Sequence, residues 1–371
     1  MIGAVVLGSL GLGGIERLVG GGEPVRAMLV TTAANGLDDR EAIVRSCREP
    51  LTERGWDLVE LDLERSDGHE LTSTLAGAGA VVVSGGDPYR LLAAMRRSGF
   101  DRSIGLALAR GVSYVGVSAG AAVAGPNLRP LLDVNPFPAP ANQPLDGLGL
   151  SDTLVLSHDE RTGRRERHAA AQREHGLEMR LIALRDDELL LSGHPWRLLN
   201  ATEGVTIRPA EVADAAAIAG SYAESARAAW HHMFTDAQLA DLNPPVEAWG
   251  KRLATLDDAD DLVVVEDHSG VAGFVWCRPS EDLDLDTGHG EIAAFYTRPR
   301  LWGRGTGLRL ATYALDRLRA AGHHTAVLWT EERNERPLRI YHEMGWRPDG
   351  AVREREYLGT KIRELRHRMV L

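Results

Sequence analysis

Residues 116–120 constrain this chain more than any other stretch. They read Gly-Val-Ser-Ala-Gly, a G-x-S-x-G pattern with Ser118 at its centre. A run of β-branched residues leads into the pattern, and a run of small residues follows it, as at the start of a helix. This predicts a strand–turn–helix elbow with the serine at its tip, where only small residues fit around the strained turn. The N–H groups at the helix start would then lie beside the hydroxyl, where an oxyanion can bind.

Length and composition limit the classes of protein that the chain can be. At 371 residues it predicts two domains, and 44% hydrophobic with 26% charged residues is typical of soluble globular proteins. The net charge is −11 and both halves are acidic, which argues against a nucleic-acid partner. No apolar run approaches the roughly 20 residues of a membrane helix. The first 14 residues lack the features of a signal peptide.

The two cysteines, Cys47 and Cys277, lie in different halves of the chain. They exclude a disulfide framework and a cysteine-rich metal site. We therefore expect a cytoplasmic protein without a metal, a membrane or a nucleic acid as partner. The sequence leaves the oligomeric state open, a homo-oligomer included.

The pattern of elements changes near residue 200. Before it, strand-like and helix-like segments alternate, which predicts a mostly parallel sheet covered by helices on both faces. A Pro/Asn-rich stretch, residues 126–144, predicts a surface loop of the kind that walls a binding site. After residue 200 a strand, a long Ala-rich helix and a hairpin begin a second pattern. We place the domains at residues 1–200 and 201–371.

A serine hydroxyl becomes a good nucleophile only when a base takes its proton and an acid orients that base. The candidate bases are His158, His168, His175 and His194, and His158 is favoured because it ends an apolar strand. The acid must come from the turn at residues 186–188, where Asp186, Asp187 and Glu188 all stand between two strands. The sequence leaves that choice open.

Here the chain resembles the peptidase E / cyanophycinase family of serine peptidases over roughly residues 1–198. The resemblance rests on residues 82–87 (Val-Val-Ser-Gly-Gly-Asp), residues 114–121 around the elbow, Ser157-His158 and the acidic turn. It implies a class I glutamine-amidotransferase-like fold, a three-layer α/β/α sandwich. The α/β-hydrolases place the acid before the histidine, so the order of residues here argues against them.

The same resemblance implies roles for individual residues. Ser118 would be the nucleophile, His158 the base and Asp186 the acid, while Gly86 and Ala119 would supply the oxyanion N–H groups.

The chain also departs from the family's pattern. Asp87 stands where the family often has asparagine, and Asp186 where it often has glutamate. Family members that prefer an N-terminal aspartate pair its carboxylate with an arginine, and Arg161, Arg164 and Arg165 are the candidates here.

A second chemical motif lies at residues 300–307, which read Arg-Leu-Trp-Gly-Arg-Gly-Thr-Gly between a predicted strand and a predicted helix. Glycines before a helix let backbone N–H groups approach a pyrophosphate closely, and the helix dipole favours its charge. A Walker A loop would require Gly-Lys-Ser/Thr, which is absent from the sequence.

These residues resemble the R/Q-x-x-G-x-G/A signature of the GCN5-related N-acetyltransferases (GNAT), over about residues 203–371. The resemblance implies an α+β domain with a mixed sheet. It also implies acetyl-CoA as co-substrate, held between strands at residues 291–297 and 325–330, and direct attack by an acceptor amine. Tyr341 would protonate the departing thiolate. Glu291 would be the base, with a cross-strand pair as the ordinary alternative. The cofactor-binding residues implied are Tyr296, Thr297, Arg300, Trp302, Gly303, Arg304, Gly305, Thr306, Gly307 and Asn334.

The sequence therefore predicts a bifunctional enzyme that hydrolyses a small peptide or amide, such as an N-terminal Asp dipeptide, and acetylates a small amine. One hypothesis joins the two activities: both disarm one toxic aminoacyl or peptidyl compound. Two alternatives stay open. The first domain is an inactive binding module that regulates the acetyltransferase, or only the hydrolase works and the second domain senses CoA.

Overall fold

The computed structural model describes residues 3–22, 25–66, 68–193, 195–242 and 246–371. The chain divides into two compact units, Met1–Gly204 and Val205–Leu371. Among the described residues, no helix has both the length and the apolar character needed to cross a membrane.

The first unit is built around a mostly parallel sheet. Its strands follow the order β9-β8-β1-β5-β4-β2-β3, in which the pairs β9–β8 and β8–β1 are antiparallel and the other neighbours are parallel, while β6 and β7 form a separate parallel pair. The strands are β1 (Val5–Gly8), β2 (Arg26–Val30), β3 (Asp57–Leu61), β4 (Ala80–Val83), β5 (Ser113–Val117), β6 (Thr153–Ser157), β7 (Arg180–Leu184), β8 (Glu188–Ser192) and β9 (Arg197–Asn200). The helices are α1 (Arg40–Thr52), α2 (Gly68–Ala76), α3 (Pro88–Ser98), α4 (Phe100–Ala109), α5 (Ala119–Ala124) and α6 (Arg164–His175).

The central strands of this unit carry few polar residues because they lie in its core. β4 and β5 are buried along their whole length because a parallel sheet is covered on both faces. Val6, Leu29, Val82 and Val115 come from four neighbouring strands and join one apolar cluster. The sheet thereby fixes the carboxyl ends of β1 and β5 side by side, with Gly8 opposite Val117.

The second unit contains a mixed sheet. Its strands follow the order β15-β16-β14-β13-β12-β11-β10, and the pair β13–β14 is parallel while the other neighbours are antiparallel. The strands are β10 (Val205–Pro209), β11 (Asp261–Asp267), β12 (Gly270–Pro279), β13 (His289–Thr297), β14 (Thr325–Glu331), β15 (Arg347–Tyr357) and β16 (Thr360–Val370). The helices are α7 (Ala215–Ala229), α8 (Asp236–Ala240), α9 (Val246–Ala254), α10 (Thr306–Ala320) and α11 (Glu335–Glu343).

Strands β13 and β14 pair only at their beginnings. His289, Gly290 and Glu291 pair with Thr325, Ala326 and Val327, and the ladder stops there. On its other side β13 pairs with β12 up to Thr297, with a register shift that leaves Ala293 as an extra residue. Such a bulge bends a strand and increases its twist. The second half of β13 therefore has an edge that faces an opening in the sheet.

The predicted fold class is confirmed in both units: a mostly parallel α/β sheet first and a mixed sheet second. Several elements were missed by sequence reasoning. Helices α2, α4, α8 and α9 and strands β9, β15 and β16 were not predicted. Strands β15 and β16 carry many charged residues, and most residues of β15 are exposed, so the two strands show little apolar alternation.

Candidate active sites

The serine elbow is strained, as its pattern predicts. Ser118 links β5 to α5 with φ 51° and ψ −106°, a conformation that L-residues rarely adopt. A Cβ at Gly120 would lie 2.3 Å from the carbonyl oxygen of Val83, and one at Gly116 would lie 2.4 Å from the carbonyl oxygen of Gly120. Both glycines are thus required by close backbone approach, which explains the spacing of the motif.

A chain of hydrogen bonds runs from this serine to a carboxylate. Ser118 Oγ lies 3.2 Å from His158 Nε2, and His158 Nδ1 contacts Asp186 Oδ1 in a short hydrogen bond. Because the carboxylate accepts, Nδ1 carries the proton, and Nε2 is left with the lone pair that can take the serine proton. The imidazole is therefore held in the tautomer that a general base needs.

The protonation states fit the same arrangement. Burial lowers the pKa of His158 below 6.5, although the hydrogen bond and charge of Asp186 oppose the shift. Burial alone would raise the pKa of Asp186, but hydrogen bonds from His158, Ser9 and Arg161 and the charge of His158 lower it overall. At neutral pH the pair is thus a neutral imidazole beside a carboxylate.

Two backbone N–H groups flank the serine. Gly85 packs against the Ser118 side chain, and Gly86 next to it has φ 132°. A Cβ at Gly86 would lie 2.1 Å from the Ala33 carbonyl oxygen, so only glycine fits. Within the described ranges the N–H groups of Gly86 and Ala119 meet no acceptor, which leaves both able to bind an oxyanion.

The charge of Asp87 is directed away from this pair. Its Oδ1 accepts hydrogen bonds from the N–H groups of Tyr89 at 2.8 Å and Arg90 at 3.2 Å, so the residue caps helix α3. A carboxylate in this place stabilises a helix start and its dipole. The departure from the family's asparagine therefore leaves the serine pocket without an extra inward charge.

Three of the other candidate bases and acids, His168, Asp187 and Glu188, contact groups outside the serine site. His168 is buried against Asp159 at 3.1 Å, and His175 lies near the end of the same helix, α6. Asp187 lies 3.6 Å from Arg185, and Glu188 accepts the Arg185 N–H at 2.9 Å. His194 lies outside the described residues.

A cavity of about 700 Å³ opens over the serine. Ser118, His158, Gly85 and Gly86 line it on one side, and residues 134–137 line it on another. Part of the Pro/Asn-rich stretch thus lines the cavity at the serine, and its role in a binding site stays a prediction. A volume of this size fits a small molecule such as a dipeptide.

The three candidate arginines differ in what they already bind. Arg161 donates to Asp186 Oδ2 from Nε at 3.2 Å and Nη2 at 2.9 Å, and Arg165 pairs with Asp159 at 2.8 Å. Arg164 is half-buried at the cavity wall and donates only to the carbonyl oxygen of Val134. It has no carboxylate partner among the residues described, so its charge is available in the cavity.

Ser9 is a site residue that sequence reasoning missed. It follows β1, has no accessible surface, donates to Asp186 Oδ1 at 2.9 Å and accepts the backbone N–H of His158 at 2.7 Å. In the sequence it is marked only by its place after an apolar strand in a glycine-rich stretch. Many serines that have no part in a site occur in such a place, so the pattern does not single this one out.

In the second unit the glycine-rich residues form a turn before α10. Gly303 and Gly305 have φ 78° and 92°, and Gly305 is the N-cap of the helix that begins at Thr306. Gly307 lies in its first turn, and Arg304 is exposed in the turn between the two glycines. The turn therefore presents backbone amides at a helix N-terminus, which suits an anionic group.

Several predicted cofactor residues are engaged with neighbouring protein groups. Arg300 forms a two-point ion pair with Asp267 at 2.8 and 3.1 Å. Trp302 Nε1 donates to the carbonyl oxygen of Thr297 at 2.8 Å, and the guanidinium of Arg336 stacks 4.1 Å above the Trp302 ring. The side chain of Arg300 thus holds the turn in place through Asp267.

The open edge of β13 offers further backbone groups. Arg298 N–H donates to Ala272 O at 2.7 Å, and hydrogen-bonded pairs alternate in an antiparallel ladder. The N–H and C=O groups of Phe295 and Thr297 therefore point away from β12, toward the opening between β13 and β14. The Thr297 carbonyl oxygen is already used by Trp302 and Ser225. Phe295 was not a predicted site residue.

The predicted acid and base of this unit lie in different surroundings. Tyr341 is half-buried on α11, its hydroxyl has no hydrogen bond within the described part of the chain, and burial raises its pKa to about 12. Glu291 is buried and pairs with Arg278 across the ladder at 3.2 Å, and burial raises its pKa. Tyr296 packs edge-on against Tyr222, and Asn334 is the N-cap position of α11.

One group of potential metal ligands occurs in the described ranges: Asp286, His289 and His324, whose ligand atoms lie within 4.8 Å of one another. Arg368 donates a short hydrogen bond to His289 Nε2, so the ring proton is on Nδ1, which lies 2.7 Å from Asp286 Oδ1. That nitrogen has no lone pair for a metal while Arg368 is bound. A ligating histidine usually has an acceptor at its second nitrogen, and here it has a donor.

Two family models match the chain. The model of peptidase family S51 matches residues 13–194, and that of the acetyltransferase (GNAT) family matches residues 222–346. The chain carries a peptidase S51 domain followed by a GNAT domain. The first match includes the Ser118–His158–Asp186 chain, and the second includes the glycine turn, the open edge of β13 and Tyr341. Both resemblances drawn from the sequence are confirmed.

Curated relatives match one domain each. An uncharacterized peptidase of Listeria innocua is 31% identical over 31% of this chain and 56% of its own length. A peptidase E of Streptomyces coelicolor is 30% identical over 33% of this chain and 47% of its own. A mycothiol acetyltransferase of Acidimicrobium ferrooxidans is 32% identical over 42% of this chain and 47% of its own. The chain spans about half the length of these relatives.

Proposed function

We propose that the S51 domain hydrolyses a small peptide or amide through an acyl-enzyme on Ser118. The observation that carries the proposal is the unbroken chain from Ser118 Oγ through His158 to Asp186. In this mechanism Ser118 attacks the carbonyl carbon while His158 Nε2 takes its proton, and the amides of Gly86 and Ala119 hold the oxyanion. The proton then passes to the leaving amine, and water attacks the ester by the same route.

The direct test is labelling with a fluorophosphonate, which reacts with an activated serine and needs no known substrate. We expect stable labelling of the full chain that is lost in Ser118→Ala. An unlabelled wild-type protein that is folded would contradict the hydrolase and favour a binding module that regulates the GNAT domain.

Arg164 supports a narrower substrate class. Its unpaired guanidinium lines the same cavity as Ser118, so we propose a substrate with a carboxylate beside the scissile bond, such as an N-terminal Asp dipeptide. Hydrolysis of Asp-Leu and Ala-Leu by wild type, Arg164→Gln and Arg167→Gln tests this. Arg167 is an exposed arginine of the same helix that donates to the Gly163 carbonyl oxygen. Arg164→Gln should remove the preference for aspartate, and Arg167→Gln should keep it.

We propose that the GNAT domain binds acetyl-CoA and acetylates a small amine. The opening between β13 and β14, with the amides of the glycine turn at one side, supports a cleft for the thioester and its diphosphate. A relative that is a mycothiol acetyltransferase supports a small-molecule acceptor. The acceptor nitrogen attacks the thioester carbon, the C–S bond breaks and Tyr341 protonates the departing sulfur, and the proton that the nitrogen loses restores the phenol.

The ion pair between Glu291 and Arg278 favours a structural role for that carboxylate, so the amine is proposed to arrive neutral and to lose its surplus proton toward Tyr341 after the sulfur has left. Tyr341→Phe tests the acid. We expect kcat to fall about 100-fold while the Kd for CoA stays unchanged, because the phenol acts only on the leaving group. A fall in CoA affinity with unchanged kcat would contradict this role.

Both chemistries act on small amino-acid-like molecules, so we further propose that the two domains disarm one toxic aminoacyl or peptidyl compound in the cytoplasm. To test this, hydrolysis and acetylation are each measured with an Asp-X dipeptide and with an aminoacyl-amide. The link fails if no compound is a substrate for both.

A further inference from the structure

Ser9 occupies the point where three parts of the hydrolase site meet. It directly follows β1, which is paired with β5 on one side and β8 on the other. Gly8 is level with Val117 and Leu189, so Ser9 is level with Ser118 on one neighbour and Glu188, next to the acidic turn, on the other. The residue is completely buried.

The hydroxyl of Ser9 joins the base and the acid directly. Its O–H donates to Asp186 Oδ1 at 2.9 Å, the same oxygen that His158 Nδ1 contacts. Its oxygen accepts the backbone N–H of His158 at 2.7 Å and lies 3.3 Å from Nδ1. The donor function of the hydroxyl is thus used by the acid, and its acceptor function by the backbone of the base.

The bond to the backbone of His158 is made where the chain is strained. His158 has φ 67°, one of the described non-glycine residues with a positive φ, and Ser118 is another. A residue in this region needs support from its surroundings to stay there. Without the Ser9 hydroxyl the partly buried N–H of His158 would have no acceptor. Relaxation of the backbone would then move the imidazole ring away from Ser118.

We propose that Ser9 is a positioning residue that holds His158 in its strained conformation and shares the charge of Asp186. This role rests on the proposed hydrolase. Ser9 touches no substrate; it acts through the imidazole and the carboxylate.

The proposal predicts two separate effects of Ser9→Ala. Loss of geometry slows the reaction of Ser118, by on the order of 10- to 100-fold for a displacement approaching 1 Å. Loss of the O–H donor leaves more charge on Asp186 Oδ1, which then stabilises the protonated imidazole more strongly. The pH midpoint of the reaction should therefore move upward.

The experiment measures the rate of fluorophosphonate labelling of the full chain as a function of pH. Ser113→Ala is the matched control, because Ser113 is also a buried serine that accepts a backbone N–H, that of Ala4 at 3.2 Å, at the opposite end of β5. It should label at the wild-type rate with the wild-type midpoint. Thermal unfolding of each variant checks folding. A structural role alone would lower stability without moving the midpoint.

The outcomes separate the inference from the function on which it rests. Ser9→Ala that labels at the wild-type rate with an unchanged midpoint overturns the role of Ser9 alone. A wild-type protein that does not label overturns the hydrolase and the role of Ser9 together. If Ser9→Ala does not fold, the same readouts are taken on Ser9→Cys, whose thiol is a weak donor. An unchanged rate and midpoint there overturn the role equally.

Discussion

The two candidate sites solve different chemical problems with different parts of the chain. In the proposed hydrolase site of the S51 domain the reacting groups are side chains: Ser118, His158 and Asp186 are joined by hydrogen bonds, and Ser118 and His158 have a positive φ. In the proposed acetyl-CoA site of the GNAT domain the groups are mainly backbone: a glycine turn, a helix start and the open edge of β13. A nucleophile that belongs to the protein needs preorganised side chains, whereas attack by the substrate itself needs a cleft that positions two bound molecules.

The largest expected effect tests whether hydrolysis in the S51 domain depends on the side chain of Ser118. Ser118→Ala should lower hydrolysis by at least about 10⁴-fold, because the triad acts as a unit. CoA binding by the same protein, measured by calorimetry, should not change. Ser113→Ala serves as the control for removal of a buried hydroxyl. Residual hydrolysis at more than a tenth of the wild-type rate would show that another group is the nucleophile.

The pH dependence should report the base. Because the pKa of His158 is lowered below 6.5, the neutral form that accepts the serine proton predominates above that value. Labelling should therefore rise with pH to a plateau, with a midpoint below 6.5, and fall about tenfold per unit on the acid side. A midpoint above 7 would contradict the protonation state assigned to His158.

A smaller effect tests whether the backbone of the glycine turn binds CoA in the GNAT domain. Gly303→Ala and Gly359→Ala both place a side chain at positive φ, 78° and 71°, where nothing lies within 4 Å of the new Cβ. Each should cost about 1–2 kcal/mol of unfolding free energy if the conformation is kept. Gly303→Ala alone should also weaken CoA binding about tenfold, since the turn amides shift. Equal CoA affinity in the two variants, by calorimetry, would argue against the turn as the diphosphate site.

The smallest effect concerns the boundary of the serine pocket. Asp87→Ala should lower the free energy of unfolding by about 1 kcal/mol, because the cap of α3 is lost, with labelling of Ser118 unchanged. Asp39→Ala is the matched control: Asp39 is the N-cap of α1 but makes no capping hydrogen bond, so its loss should cost less. A large gain in labelling by Asp87→Ala would mean that its charge reaches the oxyanion site.

Local sequence patterns were sufficient to predict the two motifs, the buried strands around them and the fold class. The elbow at 116–120 and the glycine turn at 300–307 are short stretches whose backbone geometry depends on residues next to one another, so the sequence predicts both. The same holds for the buried strands around them, because alternation of apolar runs and helices is also a local property. Two family resemblances and the fold class followed from these features.

The tertiary structure decided what depends on distant residues. Among Asp186, Asp187 and Glu188, only the contact across 28 residues to His158 distinguishes one carboxylate. Among three neighbouring arginines, the choice of Arg164 depends on which carboxylates already bind the others. Ser9 lies 149 residues from His158 and 177 from Asp186. Hydrogen bonds between side chains so far apart in the chain leave no local pattern, because the sheet brings the residues together only after it has formed.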